Sequence, residues 1–263
     1  MPIVLGAFVP HPPVLVPNIG KENCDLFAAT NSAYTTLKEH IAQKEIDTLI
    51  IISPHGAQRN QSGFRLHVPQ SYKGDFKEFG DLATTVEAQS DVILGQAIKD
   101  HFLHHDMNVY YDSSAELDYG ASIPLLFLAP SSAQKILVLN PSTLGLAEHF
   151  ELGKELHEVL QSSSRRVGVI ASGDLSHTIG DDAPGGYSPA AKQFDRAFLA
   201  CLQKKKSKKI TKIDPELIAS VGSCGAEVAS ILLGILEKMH SVPELLSYEH
   251  PLGVGYCVME FVI

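Results

Sequence analysis

The sequence predicts an α/β protein, a three-layer α/β/α sandwich around a central mixed sheet. Three observations predict it. Short apolar runs rich in β-branched residues (Ile3 to Val9, Asp47 to Ser53, Lys135 to Leu139, Val167 to Ala171) read as strands buried on both faces. Segments with helical spacing lie between them, the alternation of strand–helix–strand units. The last apolar segments, Leu245 to Tyr248 and Gly255 to Val262, read as a hairpin, so the sheet is expected to be mixed rather than purely parallel.

In chain order, Ile3 to Val9 ends at once in Pro10-His11-Pro12-Pro13, a strand followed by a rigid loop. Lys21 to Gln43 has helical spacing. Asp47 to Ser53 is a strand that stops at Pro54-His55-Gly56. Residues 57 to 85 are mixed, with a short strand near Phe64 to Val68. Val86 to His104 reads as a helix, Val109 to Tyr111 as a short strand and Gly120 to Leu128 as a short apolar helix. Lys135 to Leu139 stops at Asn140-Pro141-Ser142, and Leu144 to Leu160 is helical. Val167 to Ala171 stops at Ser172-Gly173-Asp174-Leu175-Ser176-His177. A Gly- and Pro-rich loop covers 180 to 189, and Ala190 to Lys204 is a helix. From Gly225 to Met239, Val228, Ile231, Leu232, Ile235, Leu236 and Met239 form one apolar stripe at helical spacing. No internal repeat or linker interrupts the chain, so a single domain is expected over residues 1–263.

Composition narrows the function. The 263 residues are 44% hydrophobic and 19% charged, as in ordinary globular proteins. The net charge of −9 argues against nucleic-acid binding, which calls for a basic face. The one basic cluster, Lys204, Lys205, Lys206, Lys208 and Lys209, suits a solvated helix end and loop. Cys24, Cys201, Cys224 and Cys257 form no CxxC pair, which speaks against a zinc ribbon or a disulfide framework and suits a reducing cytoplasm. No apolar run is long enough to span a membrane, and Met1 to Gly6 lacks the basic region of a signal peptide. A cytoplasmic location is therefore expected.

The 12 histidines are the unusual feature. Three of them follow strands: His11, His55 and His177. In open α/β sheets ligands bind outside the carboxyl ends of the strands, so these three can converge although they are far apart in sequence. Prolines beside His11 and His55 stiffen the backbone, as fixed ligand geometry requires. Two histidines and a carboxylate make the facial triad of non-haem iron(II). Glu227 is the candidate carboxylate, in the first turn of the strongest helix, where it also serves the helix dipole. Cys224, three residues earlier, is the alternative third ligand as a thiolate.

These pieces resemble the LigB superfamily of class III extradiol ring-cleavage dioxygenases, and within it the bacterial branch associated with AMMECR-type and Memo-like partners. The resemblance rests on Pro10-His11-Pro12-Pro13, Ser53-Pro54-His55, Leu117 to Leu125, Ser172 to His177, Cys224-Gly225-Ala226-Glu227 and Tyr248 to Tyr256, in family order along nearly the whole chain. It implies metal ligation by His11 and His55. It implies that His177 acts as the acid–base residue, with Tyr119 and Asp174 also in the catalytic group. Glu227 matches the carboxylate of ring-cleaving members through Glu227-Val228. Cys224-Gly225 matches the cysteine ligand of Memo-like members, so the third ligand stays open between the two. Where many ring-cleaving members read Asp-His-Gly, this chain reads Asp118-Tyr119-Gly120; tyrosine donates a hydrogen bond but is a poor base at neutral pH.

The resemblance thus implies an iron(II)-dependent dioxygenase of aromatic catabolism, acting with O2 on a small catechol-like substrate. Two alternatives carry over: a non-enzymatic Memo-like metal-binding module, and a zinc(II) enzyme on the same ligands. A homodimer or an association with an AMMECR-type domain is compatible with the same branch. Ligand histidines must be neutral, so metal binding is expected to fail at low pH.

Overall fold

The computed structural model describes residues 2–56, 62–129, 134–205 and 207–263. Among the described residues ten strands make one sheet: β1 (Ile3–Val9), β2 (Thr48–Ile52), β3 (Phe64–His67), β4 (Ser71–Phe76), β5 (Asp81–Ser90), β6 (Val109–Asp112), β7 (Lys135–Asn140), β8 (Val167–Ser172), β9 (Val242–Glu249) and β10 (Tyr256–Val262). The helices are α1 (Pro17–Gly20), α2 (Ala28–Gln43), α3 (Val92–His104), α4 (Tyr119–Leu128), α5 (Leu146–Gln161), α6 (Ala191–Gln203), α7 (Ser207–Ile210), α8 (Pro215–Val221) and α9 (Gly225–Ile235).

The sheet runs β4-β5-β7-β2-β8-β1-β10-β9, with β3 beside β7 and β6 beside β3. Its centre is parallel: β2 pairs with β7 and β8, and β8 pairs with β1. The β9–β10 hairpin adds an antiparallel edge through β1, which makes the sheet mixed. Alternate residues of the central strands enter opposite cores. Ile50 and Ile52 pack with α3, α5, α6 and α9, whereas Leu49 and Ile51 pack with α2 and α4. Helices therefore cover both faces, and the strands have no polar side, which is why they read as continuous apolar runs.

Several sequence expectations shift. Val86 to Ser90 is strand rather than helix: Thr84, Thr85 and Val86 are β-branched, and β5 pairs antiparallel with β4. The helix starts after Asp91, whose carboxylate accepts from the Leu94 N–H at 3.1 Å and caps it. Lys21 to Phe27 forms a 3₁₀ turn before α2. The helix α9 closes at Ile235, and Met239 stays buried beyond its end. In the basic cluster, Lys204 and Lys205 follow α6, while Lys206 lies outside the described residues. The four cysteines form no disulfide. Among the described residues no helix is long and apolar enough to cross a membrane.

Candidate metal centre

The strand order brings the histidines together. β8 lies between β2 and β1, all three parallel, so the loops bearing His55, Asp174 and His11 leave from one end of the sheet. Val9 is level with Ser172, and Ile52 with Ala171, which places the following turns side by side. The His11 N–H donates to Asp174 Oδ1 at 2.9 Å and ties two of these turns together.

At the centre, His11 Nε2 faces His55 Nε2 at 2.9 Å, and Cys224 Sγ lies 3.7 Å from His11 Nε2. One donor atom from each of His11, His55 and Cys224 falls within 4.8 Å of the others. Asp174, His177 and Cys224 form a second, overlapping group. Cys224 and His11 are buried, and His55 is half-buried.

The hydrogen-bond network fixes the ring of His11. Ser172 Oγ donates its one hydrogen to the Gly120 carbonyl at 2.5 Å, so toward His11 Nδ1, at 2.8 Å, it accepts. His11 Nδ1 therefore carries the ring proton and Nε2 presents its lone pair to the centre. Two imidazole Nε2 atoms facing one point, beside a sulfur, are a donor set that suits a divalent transition metal once both are deprotonated there. Ligands about 2.0–2.3 Å from a tetrahedral metal lie roughly 3.3–3.7 Å apart, which the sulfur–nitrogen distance matches and the nitrogen pair approaches within a few tenths of an ångström.

The supporting residues were partly visible in the motifs. Asp118 caps α4 by accepting from the Ala121 N–H at 3.0 Å, and Ser53 Oγ donates to the same carboxylate. This anchors both the His55 turn and Tyr119. The Tyr119 ring stacks on His55 with centroids 4.4 Å apart, and its hydroxyl lies 3.0 Å from His55 Nε2. A Cβ at position 120 would stand 2.6 Å from Ser53 Oγ and 3.1 Å from the His55 ring, so glycine lets the helix start approach the ligand. Burial, followed by the charges of Cys224 and Asp174, pushes the Tyr119 phenol well up, so it remains a protonated donor.

Asp174 is fully enclosed. Burial pushes its carboxyl up to about 6, against the opposing pull of His177 and of the His11 N–H. Its Oδ2 lies 3.8 Å from His11 Nε2 and 3.9 Å from His177 Nε2. His177 Nε2 is buried and has no hydrogen-bond partner among the described residues. A proton acceptor or donor is thus held next to the centre, with the Asp174 carboxylate at ion-pair distance.

Glu227, the carboxylate expected as the third ligand, is not part of this cluster. The helix α9 begins at Gly225, and Cys224 caps it outside helical geometry at φ −102°. The Cys224 sulfur turns back to accept from the Asp174 N–H at 3.2 Å, whereas the Glu227 carboxylate acts on His149 of α5. Gly225 permits the close fit, since a Cβ there would stand 2.9 Å from the Phe8 ring and 3.0 Å from the Asp174 carbonyl. Sequence reasoning named neither Ser172 nor Ser53 as a site residue, although each lies within a strand-end motif that carries a candidate site residue.

Fold and site define an α/β protein whose candidate metal ligands His11 and His55 hang from the carboxyl ends of parallel strands, with Cys224 at the start of α9. The chain belongs to the family described as the catalytic LigB subunit of aromatic ring-opening dioxygenase, which it matches over residues 5–259. It is 31% identical over 262 residues to Protein CA_C1420 of Clostridium acetobutylicum, covering 96% of this chain but only 56% of that protein, so it spans about half the length of that relative. It is 21% identical over 207 residues to the 3,4-dihydroxyphenylacetate 2,3-dioxygenase of Escherichia coli, 74% of each chain. Its fold is shared with the crystal structure of the uncharacterized protein JW3007 from Escherichia coli K12, at a TM-score of 0.71 and 16% identity, covering 98% of this chain and 99% of that one.

Proposed function

We propose that the protein opens a catechol-like ring with O2 at a mononuclear metal held by His11, His55 and Cys224. The supporting observation is the convergence of two imidazoles and a sulfur beside His177 Nε2, a buried nitrogen with no hydrogen-bond partner among the described residues. The family and the dioxygenase relative support the same chemistry. A bound iron(II) would supply the redox-active site for a chelating diol and for O2. The residues would do the rest. His11 and His55 hold the metal through neutral nitrogens. With the His55 lone pair engaged, the Tyr119 hydroxyl is released to donate to a substrate oxygen. His177 takes and returns the proton, with Asp174 alongside, its carboxyl near 6, to share it.

The thiolate favours a second reading. A hard carboxylate suits iron(II), whereas sulfur favours zinc or copper(I), so a metal-binding module without ring opening fits the same donors. One experiment separates the two. The chain is purified without air, its metal content measured, and iron(II)- and zinc(II)-loaded samples are given a panel of catechols. The dioxygenase reading expects O2 consumption and a product heavier by two oxygen atoms with iron(II). Full metal loading without O2 uptake on any catechol sinks it in favour of the module.

A further inference from the structure

A second cluster of metal-ligating side chains lies away from the strand ends, on the outer layer. His101 belongs to the last turn of α3, and His105 caps that helix. Their four-residue spacing puts both rings on one helix face. They stack with centroids 4.2 Å apart and planes 20° from parallel. Across from them, Glu155 of α5 points one oxygen at both rings: Oε2 is 2.8 Å from His101 Nε2 and 3.2 Å from His105 Nδ1. One donor atom from each residue lies within 4.8 Å of the other two.

An ordinary ion pair accounts poorly for this arrangement. One proton on one imidazole already pairs the carboxylate, and two protonated rings stacked this closely would repel. The neighbouring groups are engaged elsewhere. Lys154 pairs with Glu151 at 2.7 Å, and His104 turns its Nδ1 to the Asp100 carbonyl at 2.6 Å. What the three donors share is affinity for a borderline divalent ion.

We propose that His101, His105 and Glu155 form a second metal site, taking zinc(II) or a similar ion and pinning α3 to α5. Two imidazoles and a carboxylate are a common zinc donor set, with water completing the shell. Fractional exposures of 18%, 50% and 29% for the three side chains leave the site open to solvent. It shares no residue with the His11–His55–Cys224 centre and holds whether or not that centre opens rings.

The test is zinc(II) equilibrium dialysis of the full chain at micromolar free metal, comparing wild type with His101→Gln, His105→Gln and Glu155→Gln. Each variant should bind one equivalent less, or bind it more weakly by at least about tenfold. The rise in melting temperature on adding zinc should shrink in all three. His105 is half exposed, so its variant remains folded by circular dichroism. Cobalt(II) added to Cys224→Ala should still give tetrahedral d–d bands, without thiolate charge transfer. Equal zinc uptake by wild type and variants overturns the proposal. So does uptake that needs millimolar zinc, which is adsorption to surface histidines.

Discussion

His11 Nε2 and His55 Nε2 face each other at 2.9 Å, although 44 residues separate them along the chain. The Ser172 hydroxyl holds the His11 proton on Nδ1, so the His11 lone pair points at the His55 ring. A cation between them satisfies both. His11→Ala and His55→Ala should each lose most of the bound metal, as measured by inductively coupled plasma mass spectrometry. Circular dichroism should show both variants folded. Full metal occupancy in both would misplace the centre.

The third ligand is a choice between sulfur and carboxylate. Cys224 Sγ lies within the cluster and Glu227 does not. Cys224→Ser should therefore release the metal, while Glu227→Gln keeps it. Metal titrations of the two variants, followed by competition with a chelator, report the difference. The opposite ranking would restore the carboxylate triad.

Ser172 holds the His11 ring and lies outside the cluster of candidate ligand atoms, which makes it a positioning residue. Removing such a partner typically weakens metal binding about 10- to 100-fold. Ser172→Ala should show that loss with little change in melting temperature of the metal-free protein. Ser172→Thr, which keeps the hydroxyl, should recover part of the affinity. An unchanged affinity in Ser172→Ala would mean that the tautomer of His11 is set elsewhere.

His177 has a different expected signature. Its Nε2 faces Asp174 at 3.9 Å and finds no hydrogen bond among the described residues. As an acid–base group, it should leave metal content intact in His177→Ala and reduce turnover by about 10²- to 10⁴-fold. Metal loss in this variant would make it a ligand instead.

Two buried histidines set an acid limit to stability. Burial lowers His149, against the opposing Gly145 hydrogen bond and the Glu227 charge, and burial likewise lowers His67. His149 Nδ1 donates to the Gly145 carbonyl at 2.7 Å and Nε2 accepts from the Ser142 N–H at 3.3 Å, a pattern only the neutral ring supports. Both folded values lie below the unfolded value near 6.5, so the unfolded chain takes up protons first. Their contribution is complete above about pH 6.5 and is lost as pH falls toward the folded values. The melting temperature of the metal-free protein should drop between about pH 7.5 and about pH 5.5, and drop less in His149→Gln. An identical slope in the variant would remove His149 from the account.

The layered fold and the ends of its central strands were legible because burial on both faces leaves an unbroken apolar run, and each run stops at a proline or glycine turn. His11, His55 and Asp174 could be read off those turns, and the alternation of strand and helix put them at one end of a sheet. The β5 strand was missed because its outer residues, such as Leu82 and Thr85, are exposed, and pairing with β4 and β7 makes the segment extended. Local sequence carries the ends of strands but not their neighbours. That β8 lies between β2 and β1 is decided by long-range pairing, and this order alone makes the three turns adjacent. The start of α9 at Gly225 is likewise decided by the packing of Gly225 against Phe8 and Asp174, which turns Cys224 inward and leaves Glu227 beside α5. The sequence by itself determined the layers and the two histidines. The tertiary structure places Cys224 rather than Glu227 beside them, because a rotation of one residue at a helix start depends on contacts between segments far apart in the chain.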